Sequence, residues 1–347
     1  MGASVRGRCS VPRNEPGEAA VLTGPALPPY PNGTVVTVGA FDGVHRGHWA
    51  VLQRVRAHAL ESGRRSVLVT FDPHPLRVVR PEAAQPLLTT LREKKEILAE
   101  SGLGIAVILA FTPELSQYSP ERFVDEVLIG RLGMAQLVIG FDHGLGRGRS
   151  GDPETLRRLG ALRGFDVEVV PATQVDGDIV SSSSVRRALM AGDVERAAAG
   201  LGRPYSLRGR VIRGDGRGRE LGFPTANIHV AEPDKLIPHA GIYAVRVAIR
   251  GDHRVPPQAP ARFGVLHLGP RPVFPGATPT IEVHVLDFDG DLYGREVHVE
   301  FCSRIRDVEA FSGVSELVRA IERDCATARE LFAGGGGACC AAPHPLP

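Results

Sequence analysis

The sequence predicts an α/β protein: an N-terminal doubly wound, Rossmann-like parallel-sheet domain, then a small antiparallel β-barrel with a C-terminal helix. From about residue 33 to 195, apolar runs such as TVVTVGAF and SVLVTF alternate with amphipathic stretches such as WAVLQRVRAHALESG, which is typical of parallel βαβ units. From about 205 to 302 the runs are shorter, with frequent Gly and Pro and no helical pattern between them, which favours a barrel. The amphipathic stretch VSELVRAIERDCATARELF follows and predicts the final helix.

Length and charge restrict the class of protein. The 347 residues suit about two domains. The 41 Lys and Arg nearly balance 39 Asp and Glu, giving a net charge of +2, whereas nucleic-acid binders usually carry a basic excess. No apolar run approaches the ~20 residues that cross a bilayer, and the first residues lack a secretory pattern. We therefore expect no nucleic-acid or membrane partner. The oligomeric state is not predicted.

Composition also marks the ends of the domains. Residues 1–30, rich in Pro, Gly and charge, and the tail 334–347, with its GGGG run, are predicted to be disordered. The texture changes near GRPY, so we place one domain at 31–198 and the other at 199–333. The five cysteines include no CxxC pair, which suits the reducing cytoplasm.

The run VGAFDGVHRGH, residues 38–48, predicts a phosphate-binding site. A strand ends at Gly39, Phe41 and Asp42 follow, and His45 and His48 fall three apart at the start of a helix. That spacing places both imidazoles on one face of the helix, whose amino end favours anions. Surface histidines are the alternative, which the strand–Gly–HxGH–helix context disfavours.

Three further runs of the first half are weaker signals. VSSSSVRRAL offers Ser182, Ser183 and Arg186 to phosphates, although a Ser N-cap with solvated arginines explains it equally well. GFDHGLGRGRSG carries Asp142 after a strand, and a flexible surface loop is the alternative. TFDPHP holds His74 in a rigid turn, which could be purely structural.

The second half carries a different phosphate signal in GDGRGRELGFPTAN, residues 214–227. Its glycines permit close approach to a phosphate chain, and PTAN supplies two oxygen ligands suited to Mg²⁺ held with ATP. Farther on, Glu282 lies on an alternating strand and could take a proton from an attacking hydroxyl. The alternatives are a plain loop of turn residues and a glutamate on a solvated strand face. The candidate residues of the glycine-rich run are Gly216, Gly218, Arg219, Gly222, Thr225 and Asn227.

These motifs together resemble the bacterial bifunctional riboflavin kinase/FAD synthetase family. The resemblance runs from about residue 33 to 333 through GAFDGVHRGH, TFDPHP, SSSSVRRAL, LGRPY, GRGRELGFPTAN, EVHVLDFDGDLYG and IRDVEAF. HxGH alone marks nucleotidyltransferases in general. GFPTAN followed by EVHVLDF and DLYG is far more specific to riboflavin kinases, and the order of the motifs in one chain is the strongest signal.

The resemblance implies two ATP-dependent reactions. The barrel domain would phosphorylate riboflavin to FMN, and the first domain would adenylylate FMN to FAD with release of pyrophosphate. Catalysis would fall to His45, His48 and Glu282, and Mg²⁺ with ATP to Thr225 and Asn227. The residues implied for phosphates and nucleotide are Gly39, Phe41, Asp42, Ser182, Ser183, Arg186, Gly216, Gly218, Arg219 and Gly222, and those implied for the flavin are His74, Asp142, Phe223 and Arg306.

The sequence also departs from the family pattern. Ala40 replaces a common polar residue, the 142–146 loop lacks two aromatic residues, and Val273 stands where a Thr is usual. Three alternatives therefore stay open: a kinase whose first domain no longer adenylylates, a non-catalytic flavin-binding protein, and a cytidylyltransferase suggested by HxGH alone.

Overall fold

The computed structural model describes residues 20–22, 32–214, 216–250, 261–269 and 280–334. They form two compact units. The first falls within Met1–Phe41, Trp49–Ala84 and Leu91–Pro171, and the second within Asp42–His48, Gln85–Thr90 and Ala172–Pro347. The HxGH segment and residues 85–90 thus pack with the C-terminal half of the chain. The predicted domain limits 31–198 and 199–333 stay predictions.

A six-stranded sheet forms the centre of the first unit, in the order β1-β4-β3-β2-β5-β6. All its neighbouring strands are parallel, so the predicted doubly wound sheet is confirmed. Val35, Val36, Val67, Leu68 and Val69 in its central strands are fully buried. The strands are β1 (Ala20–Leu22), β2 (Thr34–Val38), β3 (Arg65–Asp72), β4 (Ile105–Ala110), β5 (Met134–Gly140) and β6 (Asp166–Val170).

Strand β1 was not expected, because it lies inside the predicted disordered lead-in. Its three residues are the apolar run AVL, and they pair in parallel with Ile105–Val107 of β4. The remaining residues of the lead-in up to 30, and the tail from 335 to 347, lie outside the described residues.

Helices follow the strands, as the alternating pattern predicts. Helix α1 buries Trp49, Leu52 and Val55 along one stripe. The cap of α6 is readable in the sequence: Asp152 accepts the N–H of Thr155, Pro153 opens the first turn and a left-handed Gly164 ends the helix. The helices are α1 (Arg46–Ser62), α2 (Pro75–Val79), α3 (Leu91–Ala99), α4 (Pro113–Ser116), α5 (Pro120–Phe123) and α6 (Pro153–Arg163), with a π-helical turn at Val124–Ile129 and 3₁₀ turns at Pro81–Ala83 and Arg147–Arg149.

The second unit contains a closed barrel in the order β10-β13-β12-β11-β14-β9 with antiparallel neighbours. This confirms the predicted barrel and its C-terminal helix. Tyr243 and Phe301 fill its interior edge to face, with ring centroids 5.2 Å apart. The strands are β7 (Gln174–Val175), β8 (Asp178–Ile179), β9 (Ser206–Ile212), β10 (Ala226–His229), β11 (Gly241–Arg250), β12 (Arg262–Leu268), β13 (Ile281–Val285) and β14 (Glu296–Arg306); the helices are α7 (Ser182–Ala191), α8 (Val194–Leu201), α9 (Arg217–Glu220) and α10 (Val314–Ala333).

Alternation along β13 fixes which side chains face the barrel interior. Ile281, Val283 and Val285 are buried, and Glu282 and His284 between them are only partly buried. Because successive side chains of a strand point to opposite faces, Glu282 faces away from the apolar interior. Among the described residues, no helix has the length and apolar character needed to cross a membrane.

Candidate active sites

Asp42 anchors the loop that leads into the HxGH segment. The side chain is 2% exposed. Its carboxylate accepts the N–H groups of Leu88 and Thr89, both at 3.0 Å, and the Thr89 hydroxyl at 3.2 Å. Arg186 completes the set through a buried ion pair. This network fixes the three residues that separate Asp42 from His45.

His45 is a buried, neutral histidine stacked on His48. It is 7% exposed, and the two ring centroids lie 3.7 Å apart. Burial lowers the pKa of His45 to about 4; Asp42 opposes the shift, and Arg203 and Arg186 add to it. The His48 N–H lies 3.4 Å from His45 Nδ1. A neutral imidazole that accepts at Nδ1 carries its proton on Nε2, so Nε2–H is the donor available to a ligand.

Gly47, between the two histidines, keeps the stack intact. A Cβ at this position would lie 3.2 Å from both Nδ1 and Cε1 of the His45 ring. That distance is closer than ordinary van der Waals contact, so a side chain would displace the imidazole. The glycine of HxGH is therefore explained by close approach to His45.

The lowered pKa of His45 predicts an acid-sensitive fold. In the unfolded chain the imidazole protonates near pH 6.5, whereas the folded protein keeps it neutral down to about pH 4. Between these values the unfolded state binds more protons, so the free energy of unfolding falls as pH falls, by about 1.4 kcal/mol per pH unit from this group. Denaturant unfolding from pH 7 to 4 should show a shallower loss in His45→Asn. Identical pH dependence in both proteins would contradict the burial argument.

The serine run caps α7 and contacts the same loop. Ser181 is the N-cap, and its hydroxyl accepts the Ser184 N–H. The Ser182 hydroxyl donates to the carbonyl of Asp42 at 2.9 Å, and Arg186 also donates to the Pro86 carbonyl. Ser182 and Arg186 are thus brought together with Asp42, whereas Ser183 is exposed on the first turn. Their roles toward phosphate stay predictions.

Sequence reasoning missed two residues that hold this loop. Arg203 donates to the carbonyls of Gly43 at 2.6 Å and Val44 at 3.0 Å. The Thr89 hydroxyl accepts the Gly43 N–H at 3.0 Å. Arg203 stands in the LGRPY motif, which was a usable signal, whereas no motif marks Thr89.

Four predicted site residues belong to the first unit. The Gly39 backbone accommodates the Phe41 ring, because a Cβ there would lie 3.0 Å from it, and Phe41 is 4% exposed. His74 caps α2 through its Nδ1. The Asp142 side chain is exposed, and its carbonyl accepts from Arg149 at 2.5 Å. Their roles toward nucleotide and flavin stay predictions.

The second candidate site lies on neighbouring strands of the barrel. Asn227 of β10 is directly opposite Glu282 of β13, and the Thr225 hydroxyl lies 3.4 Å from the Glu282 carboxylate. His267 of β12 is opposite Glu282 on the other side. Burial lowers the pKa of His267, and the Glu282 carboxylate opposes that shift. The predicted Thr225, Asn227 and Glu282 therefore converge, and His267 is an addition that the sequence did not single out.

Glycines of the preceding loop lie directly against these polar groups. A Cβ on Gly214 would lie 2.1 Å from the Asn227 amide nitrogen. A Cβ on Gly218 would lie 2.5 Å from the Phe223 carbonyl and 3.0 Å from the Thr225 hydroxyl. These two glycines permit the backbone to approach the site.

The other predicted residues of the loop are exposed. Gly216 and Gly222 have φ of +75° and +85°, the left-handed region that favours glycine, and a Cβ on either would meet no atom within 4 Å. Arg219 is exposed on α9. Their contact with phosphate stays a prediction.

The donor set fits Mg²⁺ bound together with ATP. A hydroxyl and an amide oxygen are hard ligands that Mg²⁺ accepts alongside phosphate oxygens and water. Within the described ranges no cluster of three or more His, Cys, Asp or Glu side chains could hold a metal ion. Thr225 and Asn227 would therefore hold the ion only with the help of the nucleotide.

Arg306 and Phe223 border the barrel site. Arg306 forms a two-pronged ion pair with Asp324 of α10, at 2.8 and 2.7 Å, and its guanidinium lies 5.7 Å from the Phe311 ring. Phe223 meets His284 edge to face, with centroids 5.6 Å apart. Contact of Arg306 and Phe223 with flavin stays a prediction, and Val273 lies outside the described residues.

Comparison with known proteins assigns the chain to a family. Residues 27–184 match the FAD synthetase family, and residues 201–332 match the riboflavin kinase family. A bifunctional riboflavin kinase/FMN adenylyltransferase of Pseudomonas fluorescens is 39% identical over 88% of this chain and 96% of its own length. The chain belongs to the bifunctional riboflavin kinase/FMN adenylyltransferase family.

Other members of the riboflavin kinase/FMN adenylyltransferase family agree with this assignment. The Escherichia coli K12 protein is 36% identical over 86% of this chain and 93% of its own length. A crystal structure described as a macrolide-efflux protein from Streptococcus pneumoniae matches with a TM-score of 0.79 at 27% identity, covering 89% of this chain and 98% of that one. Both halves of the chain, in the predicted order, are thus accounted for.

Proposed function

We propose that this enzyme makes FMN at the Thr225–Asn227–Glu282 site and FAD at the His45 site, using ATP at each, in the cytoplasm. Two observations support the placement. Three polar groups on adjacent barrel strands meet beside two close-approach glycines. A buried neutral imidazole lies at the start of α1 with its Nε2–H available.

In the barrel, Glu282 acts as the general base. It takes the proton of the ribityl 5′-hydroxyl while that oxygen attacks the γ-phosphorus of ATP, and ADP departs. The partly buried carboxylate faces away from the apolar interior, beside Thr225, so substrate can reach it. Bound Mg²⁺ supplies charge neutralisation of the phosphates, with Thr225 and Asn227 as its protein ligands.

At the HxGH segment, the residues stabilise charge and transfer no proton. A phosphate oxygen of FMN attacks the α-phosphorus of ATP, and the bond to pyrophosphate breaks. His45 donates its Nε2–H to a phosphate oxygen, and the amino end of α1 adds a favourable partial charge. The Asp42 network and Arg203 hold the loop that presents His45.

Gly218→Ala tests the close approach in the barrel loop. The added Cβ would overlap the Phe223 carbonyl and press on Thr225, so we expect riboflavin phosphorylation to fall by about 10²-fold, the scale of a 1 Å misplacement. Gly313→Ala is the matched control, because a Cβ there meets no atom within 4 Å. Equal activity of both variants in a steady-state kinase assay would show that the loop tolerates a side chain.

One assay tests the proposed function as a whole. The purified enzyme is incubated with riboflavin, ATP and Mg²⁺, and flavins are separated by chromatography over time. FMN should appear first and FAD later, and chelation of Mg²⁺ should stop FMN formation. Flavin binding without turnover would indicate a binding protein, and FMN without FAD would indicate a kinase alone. A preference for CTP over ATP would revive the cytidylyltransferase alternative.

A further inference from the structure

Residues 87–89 connect the loop before His45 to the segment after strand β10. On one side, Leu88 and Thr89 donate both backbone N–H groups to Asp42. On the other side, the Leu87 N–H donates to the Asp234 carbonyl at 2.7 Å, and the Leu236 N–H donates to the Leu87 carbonyl at 2.8 Å. All of these residues belong to the second unit.

Lys235 lies at the centre of this connection. It is 4% exposed, and its ammonium donates to the Leu88 carbonyl at 2.8 Å. The same ammonium lies 4.6 Å from the centroid of the Tyr205 ring. Tyr205 in turn donates its hydroxyl to the Leu236 carbonyl at 2.6 Å. Burial of an ammonium is costly unless it is paired, so the side chain is held in one position.

Packing strengthens the same path. Leu88 is 1% exposed and belongs to the apolar cluster that fills the barrel, with Tyr205 and Leu236. A Cβ on Gly43 would lie 2.7 Å from Leu88 Cδ1. The loop before His45 therefore rests on Leu88, and a shift of Leu88 must move Gly43.

We infer that Lys235, although it lies in the kinase half of the sequence, is a positioning residue for FMN adenylylation. It acts through residues 87–89 on the loop that presents His45. The inference rests on the proposed role of His45. Lys235 is not among the groups placed at Thr225, Asn227 and Glu282, so its effect separates the two activities.

Lys235→Met tests this directly, because methionine keeps much of the apolar stem and loses the donor. We expect the kcat of FMN adenylylation to fall about tenfold or more with a smaller change in KM. Riboflavin phosphorylation should stay within about twofold of wild type. Lys95→Met, on α3, is the matched control for loss of a lysine.

Thr89→Val provides a second variant at the other end of the path. It removes the hydroxyl that joins Asp42 and Gly43 and preserves the shape of the side chain. Its effect on adenylylation should be non-additive with that of Lys235→Met in a double-mutant cycle. If Lys235→Met does not fold, Thr89→Val carries the test alone.

A third readout distinguishes positioning from general stability. A loosened loop admits water to His45, so NMR titration should show its pKa rising from about 4 in Lys235→Met. The charged or titratable groups that face it are Asp42, His48, Arg186 and Arg203, and none is altered. An unchanged titration with normal adenylylation, or equal loss of both activities, would overturn the inference. Absence of FAD formation by the wild-type enzyme would instead refute the proposed function.

Discussion

Glu282→Gln lowers the kcat of riboflavin phosphorylation by about 10²–10⁴-fold, the usual contribution of a general base. The amide keeps the size of the side chain and can still accept the Thr225 hydroxyl, but it cannot take a proton. KM for ATP should change little, because Thr225 and Asn227 are intact. Steady-state measurement of ADP release in saturating riboflavin gives the value.

The same variant must still adenylylate FMN at the wild-type rate. Glu300 provides a matched control, since it is a barrel glutamate that pairs with Arg246 and has no proposed role. Glu300→Gln should retain full kinase activity. Wild-type phosphorylation by Glu282→Gln would remove Glu282 as the base, and loss in Glu300→Gln alone would point to fold stability.

His45→Asn lowers the kcat of FMN adenylylation by about 10²–10³-fold, the scale for one donor to a developing anion. The Asn carbonyl can occupy the place of Nδ1 and accept the His48 N–H, but nothing replaces the Nε2–H. His45→Gln reaches farther, so it should retain part of the activity. Chromatographic measurement of FAD from FMN and ATP gives both values.

The control for His45 is another histidine of the same helix. His58 contacts Glu168 of β6 and has no proposed role, so His58→Asn should leave adenylylation unchanged. Riboflavin phosphorylation should be normal in all three variants. Full adenylylation by His45→Asn would show that the helix start alone suffices for the reaction.

Sequence alone predicted the architecture because each half has its own period. Helical stretches between apolar strands specify the parallel sheet, and short strands with close turns specify the barrel. The exception is β1, where only three apolar residues separate a strand from a polar lead-in. A run that short gives no periodicity to read.

The candidate sites were predictable only where a motif names the residue. Thr225, Asn227 and Glu282 converge as PTAN and the alternating strand suggest. Lys235 and Thr89 were missed because their contacts join segments about 150 and 50 residues from their partners, and no local pattern encodes such pairing. Arg186 and Asp42 show the reverse: both were marked for phosphate, and the structure pairs them with each other.

The central claim is that one chain uses two ATP molecules at two different phosphorus atoms. Riboflavin supplied with ATP labelled at both the α- and γ-phosphorus tests it most directly. We predict FAD that carries one γ-derived phosphorus on the ribityl side and one α-derived phosphorus on the adenosine side, with one ADP and one pyrophosphate released per FAD. FAD carrying a single label, or a product ratio that departs from one ADP to one pyrophosphate, would contradict the account.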